Sequence, residues 1–207
     1  MDKKTFKPEI RFFDFTPQIE VREDKESRII KGYAAKFDKL SKNLGWFREK
    51  IDKNAFDEAD MNDVVAVLNH DFNILYARTL SGTLKLSVDD EGLLYEFDSP
   101  NSSAGNDLVE MINRKDISSS SFQFIVSEDK WEQDDELGEV RTILKVKRLI
   151  DVSPVTFPAY PDTTVAKRSF DESKQEDTDK DEMTERKIPA SVMYAEAELE
   201  LRKIRNH

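Results

Sequence analysis

The sequence predicts a mainly β protein with some α structure: an antiparallel β-barrel ringed by a few helices, plus a flexible acidic C-terminal tail. Short apolar segments alternate with turn residues up to about residue 168, and several show the period-two alternation of strands. Predicted strands and helices do not alternate regularly along the sequence, so the sequence does not indicate a parallel sheet. Residues 169–187 are nearly devoid of aliphatic side chains, which is typical of a solvated segment. The predicted domain therefore spans residues 1–168, and an acidic linker with a short C-terminal helix spans 169–207.

The predicted strands follow the apolar segments in order. The continuous apolar run at 64–68 is typical of a central strand. Residues 83–88 alternate with period two and return at 93–97 through the turn at 89–92, which predicts a hairpin. The other predicted strands cover residues 29–37, 121–126, 140–146 and 149–155.

Helices are predicted at three places. Residues 54–59 form a short one, and residues 103–113 form a longer one that begins with Ser103 as its capping residue. This second helix carries Leu108, Met111 and Ile112 on one face. Residues 191–205 are rich in helix formers, but their apolar face is thin, so this helix is expected to need a partner.

Composition excludes several classes of function. The net charge of -11 and the pI of about 4.8 argue against nucleic acid or an anionic membrane as the main partner, because phosphate binding needs a basic face. With no cysteine, the 207 residues contain no disulfide, thiolate nucleophile or thiolate metal ligand. The N-terminus lacks an apolar segment typical of a signal peptide, and no stretch reaches the roughly 20 apolar residues of a membrane span. We therefore expect a soluble intracellular protein.

One histidine, a serine cluster and one acid are the candidates for chemistry. His70 is the one histidine apart from the terminal His207, and it follows an apolar run, so it is nearly the sole candidate for a base that titrates near neutral pH. The run 118–121 contains four serines at a predicted helix-to-strand turn, and Asp151 closes another apolar run. Together these are the minimum set for serine hydrolysis. Structural roles are the alternative: a hydrogen-bonded histidine, a polar turn and a surface acid.

A metal or cofactor site is not predicted. One internal histidine and scattered carboxylates offer no ligand spacing such as His-x-x-x-His. The 6 glycines are dispersed, so no phosphate-binding loop occurs. We expect neither a cofactor nor a metal.

Four blocks of sequence occur in a diagnostic order within about residues 22–167. They are Gly-Tyr-Ala-Ala-Lys-Phe at 32–37 with the segments 47–51 and 55–56, Leu-Asn-His-Asp at 68–71, Ser-Ser-Ser-Ser-Phe-Gln-Phe at 118–124, and Leu-Ile-Asp-Val-Ser-Pro-Val-Thr-Phe-Pro-Ala-Tyr-Pro at 149–161. In this order they resemble the prohead maturation proteases of tailed bacteriophages. The resemblance implies a fold similar to that of the herpesvirus assembly proteases, a β-barrel ringed by helices.

The resemblance also implies roles for three residues. Ser121 falls on the nucleophile, His70 on the base and Asp151 on the acid that orients the base. A family member would be a serine endopeptidase that cleaves the scaffolding part of the major capsid protein during prohead maturation and then cleaves itself. Its partners would be the capsid protein and further copies of itself, in the host cytoplasm and inside the prohead. The alternatives are a non-enzymatic capsid assembly or scaffold protein, and a metal-dependent hydrolase.

Overall fold

A computed structural model describes residues 7–12, 20–23, 28–156 and 170–171 of the chain. Residues 1–166 form one unit, and beyond it only Phe170 and Asp171, both helical, are described. The described part contains ten β-strands and one α-helix. They are β1 Glu9–Phe12, β2 Glu20–Glu23, β3 Arg28–Lys36, β4 Phe47–Ile51, β5 Val65–Leu68, β6 Asp71–Arg78, β7 Leu84–Val88, β8 Gly92–Asp98, α1 Ser103–Asn113, β9 Ser119–Asp134 and β10 Gly138–Val155.

The strands form two sheets. The larger follows the order β1-β9-β10-β5-β6, and β4 also pairs with β10. Both β4 and β5 run parallel to β10, whereas the other pairs are antiparallel. The smaller sheet has the order β2-β3-β8-β7 and is wholly antiparallel.

The hairpin of β9 and β10 is the longest feature of the fold. Its strands have 16 and 18 residues, and Gly138, with a φ of 79°, ends the turn between them. The pairing shifts register four times between Ile143 and Asp151. Such bulges bend a strand and increase its twist, so the larger sheet curls into a half-barrel.

The hydrophobic core is one continuous cluster to which both sheets contribute. Fully buried Tyr95 on β8 and Phe122 and Phe124 on β9 belong to it. Helix α1 adds Leu108 and Ile112, two of the three residues predicted on its apolar face. Strand β9 therefore turns Phe122 into the core and leaves Ser121 on its other face, because successive side chains alternate.

The predicted fold class is confirmed only in part. The protein is mainly β, but the described sheets do not close into a barrel, and a single helix replaces the expected ring of helices. The sheet is also mixed rather than antiparallel. Parallel pairing needs a long crossover between strands, and the periodicity of a segment carries no information about the direction of its distant partner.

Most predicted strands are confirmed. The observed β3, β5, β7 and β8 lie within one residue of the predicted bounds at each end, whereas β9 extends to Asp134. The two strands predicted at 140–146 and 149–155 are one strand, and one of its four register shifts, between Val146 and Arg148, falls where the apolar pattern is interrupted. Strands β1, β2, β4 and β6 were not predicted.

The helix predictions have mixed outcomes. Residues 54–59 do not form a helix but lie in hydrogen-bonded turns, in which the Ala55 N–H donates to the Asp52 carbonyl at 3.0 Å. The helix at 103–113 is confirmed, with Ser102 rather than Ser103 as its cap. The Ser102 hydroxyl accepts a hydrogen bond from the Gly105 N–H at 3.2 Å. The acidic linker and the helix at 191–205 lie outside the described residues.

Substitution of the observed cap should destabilise the protein more than substitution of the predicted one. Ser102→Ala removes the acceptor of the Gly105 N–H and should lower the free energy of unfolding by about 1 kcal/mol. Ser103→Ala is the matched control, since Ser103 is an exposed first-turn residue of α1. Urea denaturation of both variants measures the difference. Equal effects would contradict the cap assignment.

Candidate active site

Strand β10 lies between the strands that carry the other site residues. Its Asp151 pairs with Gln123 of β9 on one side and with Val65 of β5 on the other. Two residues later, Ser153 lies directly opposite Ser121 of β9. Directly opposed residues, and residues two apart on one strand, project from the same face of a sheet. Asp151, Ser153 and Ser121 therefore share one face.

His70 reaches this face from the tight turn between β5 and β6. Asn69 and His70 form a two-residue loop with φ values of 51° and 60°, and left-handed backbone at both positions is typical of a type I′ hairpin turn. The turn is attached to the end of β10. The Asn69 N–H donates to the Pro154 carbonyl at 3.1 Å, and the Asn69 side chain accepts from the Thr156 N–H at 2.9 Å.

His70 connects Ser121 to Asp151. Its Nε2 lies 2.7 Å from Ser121 Oγ, and its Nδ1 lies 2.8 Å from Asp151 Oδ1. The Ser153 hydroxyl donates to the same Asp151 Oδ1 at 2.6 Å and lies 3.3 Å from His70 Nδ1. The three predicted residues, which are 51 and 30 positions apart in sequence, thus form one hydrogen-bonded chain.

The chemistry of the three groups sets the direction of these hydrogen bonds. Ser121 and Asp151 are fully buried, and the His70 side chain is 10% exposed. With Asp151 ionised, its carboxylate accepts from both Ser153 and His70, and the imidazole then carries its proton on Nδ1. Nε2 is then left as an acceptor facing the Ser121 hydroxyl, and it competes with the Arg11 carbonyl, 2.9 Å from Ser121 Oγ, for the one hydroxyl proton. This is the tautomer that a general base acting on a serine requires.

The four serines of the predicted cluster have different environments. Only Ser121 contacts His70. Ser120 is buried on the opposite side of β9 and bonds to the Tyr95 hydroxyl at 2.7 Å, where burial raises the pKa of Tyr95 and keeps it protonated. Ser118 is exposed and Ser119 half-buried. The expected helix-to-strand turn is wrong for Ser121, which is the third residue of β9.

Three further residues of the site were not singled out from the sequence. They are Ser153, which bonds to Asp151; Asn69, which attaches the turn to β10; and Arg11, whose carbonyl accepts from Ser121 Oγ at 2.9 Å. Of these three, only Asn69 could have been noticed in the sequence, because asparagine tolerates the left-handed backbone of a two-residue turn and therefore indicates one. The adjacent Asp71 is exposed and bonds to Asn73 rather than to His70.

Two searches of the described residues gave no candidates. No group of three histidine or acidic side chains there is arranged to hold a metal ion. No helix in that part of the chain has the length and apolar character needed to cross a membrane.

Comparison with known proteins identifies the family. The model of the caudovirus prohead serine proteases matches residues 17–176, which is more than half of the chain and includes all three residues of the hydrogen-bonded chain. The chain belongs to this family of serine proteases. No curated protein matches its sequence. Among solved structures, it is similar to the capsid assembly protease of bacteriophage T4, with a TM-score of 0.46 and 10% identity over 70% of this chain and 98% of the T4 chain.

Substitution of Asn69 should separate the two contributions that this residue makes to the turn. Asn69→Gly keeps the left-handed backbone accessible but removes the two side-chain hydrogen bonds to Thr156, so we expect a loss of about 1–2 kcal/mol of unfolding free energy. Asn69→Ala also adds left-handed strain and should cost roughly 1–2 kcal/mol more. Chemical denaturation should rank the wild type above Asn69→Gly and Asn69→Gly above Asn69→Ala. An alanine variant as stable as the glycine variant would contradict the strained turn.

Proposed function

We propose that this family member is a serine endopeptidase whose catalytic triad is Ser121, His70 and Asp151, and that it cleaves the scaffolding part of the phage major capsid protein. One observation carries the proposal: the continuous hydrogen-bonded chain from Ser121 Oγ through the imidazole to Asp151 Oδ1, with distances of 2.7 and 2.8 Å. These are the separations that proton transfer and orientation of a base require.

The reaction follows from the positions of the atoms. Ser121 Oγ attacks the carbonyl carbon of the scissile peptide bond while His70 Nε2 takes the hydroxyl proton. The tetrahedral intermediate collapses when His70 returns this proton to the leaving amine, which leaves an acyl group on Ser121. Water then attacks the acyl carbon, and His70 serves again as base and acid.

Asp151 acts through His70. Its carboxylate holds the Nδ1 proton and stabilises the imidazolium that forms as Nε2 takes up the serine proton. Ser153 donates to the same carboxylate oxygen, so it offsets part of the cost of burying this charge. Asp151 Oδ2 is also buried and has no hydrogen-bond partner among the described residues. The negative charge of the Asp151 carboxylate is therefore stabilised by Ser153 and His70 alone among these contacts, and most strongly when the imidazole is protonated.

The proposed substrate and setting follow from the family. Because the chain belongs to the prohead serine proteases, we propose that it acts inside the prohead, in the host cytoplasm, on the scaffolding part of the major capsid protein, and that it also cleaves itself. We propose that residues 169–207 are a removable segment cleaved within the acidic stretch 169–187, because a stretch with so few aliphatic residues can enter an active site as an extended strand. Membership in a serine protease family favours a proteolytic function over that of a non-enzymatic assembly protein.

Substitutions within the triad should lower or abolish cleavage and leave the fold intact. Ser121→Ala and His70→Ala should each lower the rate by roughly 10⁴-fold or more. Asp151→Asn should fall between these variants and the wild type, because an amide orients the ring but favours the wrong tautomer. Co-expression with the cognate capsid protein, followed by mass spectrometry of the products, measures all three. Ser120→Ala is the matched control, since Ser120 bonds to Tyr95 and not to His70.

Mass spectrometry of the purified protein also reports self-cleavage. Intact mass of the purified wild type should fall with time through loss of C-terminal residues, whereas Ser121→Ala should keep its full mass. Full cleavage by Ser121→Ala, with loss of cleavage in Ser120→Ala, would move the nucleophile by one residue. Wild-type rates for Asp151→Asn would remove Asp151 from the triad.

A further inference from the structure

We infer that Phe72 and Leu75 of β6 form an apolar subsite, which binds a side chain of the extended polypeptide substrate a few residues away from the scissile bond. The subsite presupposes the proposed function, because it takes Ser121 as the nucleophile and a polypeptide as the substrate. Strand β6 is the terminal strand of the larger sheet beside β5, and it begins directly after His70.

The pairing of three strands places Leu75 on the face of the sheet that carries the triad. Val65 of β5 pairs with Asp151, and Val67, two residues later on β5, pairs with Leu75 of β6. Paired residues, and residues two apart on one strand, project from the same face of a sheet. Ala66, between the two valines, belongs to the hydrophobic core on the other face. Leu75 therefore shares its face with Asp151.

Leu75 also lies level with Ser121 across the sheet. Ser121 pairs with Ser153, which lies two residues after Asp151 on β10. Val67 likewise lies two residues after the partner of Asp151 on the parallel strand β5. The pairing of Val67 with Leu75 completes a row of residues that crosses four strands.

The first half of β6 exposes two large apolar side chains. Phe72 is 56% exposed and Leu75 is 51% exposed, and neither belongs to the hydrophobic core cluster. Tyr76 and Ala77, which follow on the same strand, are buried in that cluster. Single exposed apolar residues are normal on a protein surface, but two within four residues, beside a proposed catalytic base, form a surface that an apolar group would cover favourably.

A bulge holds this half of β6 in place next to His70. Two neighbouring residues of β5 pair with Asp71 and Leu75, so residues 72–74 of β6 bulge out between these pairs. The Asp71 carboxylate accepts from the Asn73 N–H at 2.9 Å and from the Asn73 side-chain amide at 2.8 Å. Bulges of this kind redirect side chains and occur often beside active sites. The two apolar side chains are thus carried by a shaped segment and not by a loose loop.

The distance from the nucleophile suits a substrate side chain a few residues along the chain. In the order β9-β10-β5-β6, three inter-strand spacings separate Ser121 from Leu75. Each spacing is about 4.8 Å, so the two residues lie about 14 Å apart along the sheet. An extended peptide advances about 3.3 Å per residue, so about four residues cover this distance. A substrate that crosses this face with its scissile carbonyl at Ser121 therefore brings a side chain three to five residues away onto the subsite.

The chemistry of the subsite selects apolar side chains. An aliphatic or aromatic substrate residue covers Phe72 and Leu75 and is itself removed from water. A charged residue at the same place would lose hydration without gaining a partner from either side chain. The subsite thus contributes to the choice of cleavage site and not to the chemical step.

Cleavage kinetics of full-length variants test the subsite with the purified cognate capsid protein as the probe. Leu75→Thr and Phe72→Thr should each lower kcat/KM about tenfold, mainly through a higher KM, because they remove apolar contact with the substrate. Leu75→Met keeps that contact and should cleave at nearly the wild-type rate. Leu137→Thr is the matched control, since Leu137 is 39% exposed but lies at the far end of the β9–β10 hairpin.

Labelling of Ser121 by a small fluorophosphonate reports on the triad separately. This probe is too short to reach Leu75 while it reacts at Ser121, so every variant should label at the wild-type rate, as measured by intact mass. Both substituted side chains are half-exposed, so their replacement opens no cavity in the core. Circular dichroism of each variant verifies the fold.

Substitutions in the substrate identify the side chain that the subsite binds. Mass spectrometry of the products gives the cleavage site, and each apolar residue of the capsid protein three to five positions from it is replaced by serine. One of these changes should lower kcat/KM about tenfold with the wild-type protease and have no further effect with Leu75→Thr, which is the coupling expected of two groups in contact.

The outcomes separate the subsite from the proposed function. Equal kcat/KM for Leu75→Thr and Leu137→Thr, or no coupled residue in the capsid protein, would overturn the subsite and leave the triad in place. Slower labelling of Leu75→Thr would show that the substitution acts through the His70 turn, and it would also overturn the subsite. If the wild type neither cleaves the capsid protein nor takes up the fluorophosphonate, the proposed function is wrong and the subsite fails with it.

Discussion

The pairing of β9 with β10 is the constraint on which the rest of the site depends. Because Ser121 lies opposite Ser153, and Asp151 lies two residues earlier on β10, the nucleophile and the acid share one face. A slip of one residue would turn Ser121 into the core and Phe122 onto the site, since side chains alternate along a strand. Fully buried Phe122 and Phe124 oppose such a slip. The hydrophobic core thus fixes the register that the proposed chemistry requires.

The second constraint is the attachment of the His70 turn to β10. Left-handed backbone at Asn69 and His70 is unfavourable for most residues, and the hydrogen bonds to Pro154 and Thr156 offset this cost. The imidazole then stands between two buried groups, Ser121 and Asp151.

Local patterns predicted local structure well and long-range pairing poorly. The period-two segments of β7 and β8 and the apolar face of α1 were visible in sequence, because each pattern reflects burial of one face. The parallel pairing of β5 with β10 was not visible, since it joins Val65 to Asp151 across the chain. His70 and Asp151 were candidates from the residues alone, which left four serines open, and the resemblance to a family selected Ser121. Ser153 and Arg11 depend on strand register, which the sequence does not display.

We propose that His70 bridges Ser121 and Asp151 with its proton on Nδ1, and the proposed mechanism depends on this tautomer. Proton–nitrogen NMR of ¹⁵N-histidine-labelled protein at neutral pH tests it most directly, because the two histidines give few signals and a His70→Ala variant assigns them. We expect the Nδ1–H tautomer for His70, with a proton on Nδ1 shifted downfield by its bond to Asp151, and a change of tautomer in Asp151→Asn. A His70 imidazole protonated on Nε2 in the wild type, unchanged by Asp151→Asn, would contradict it.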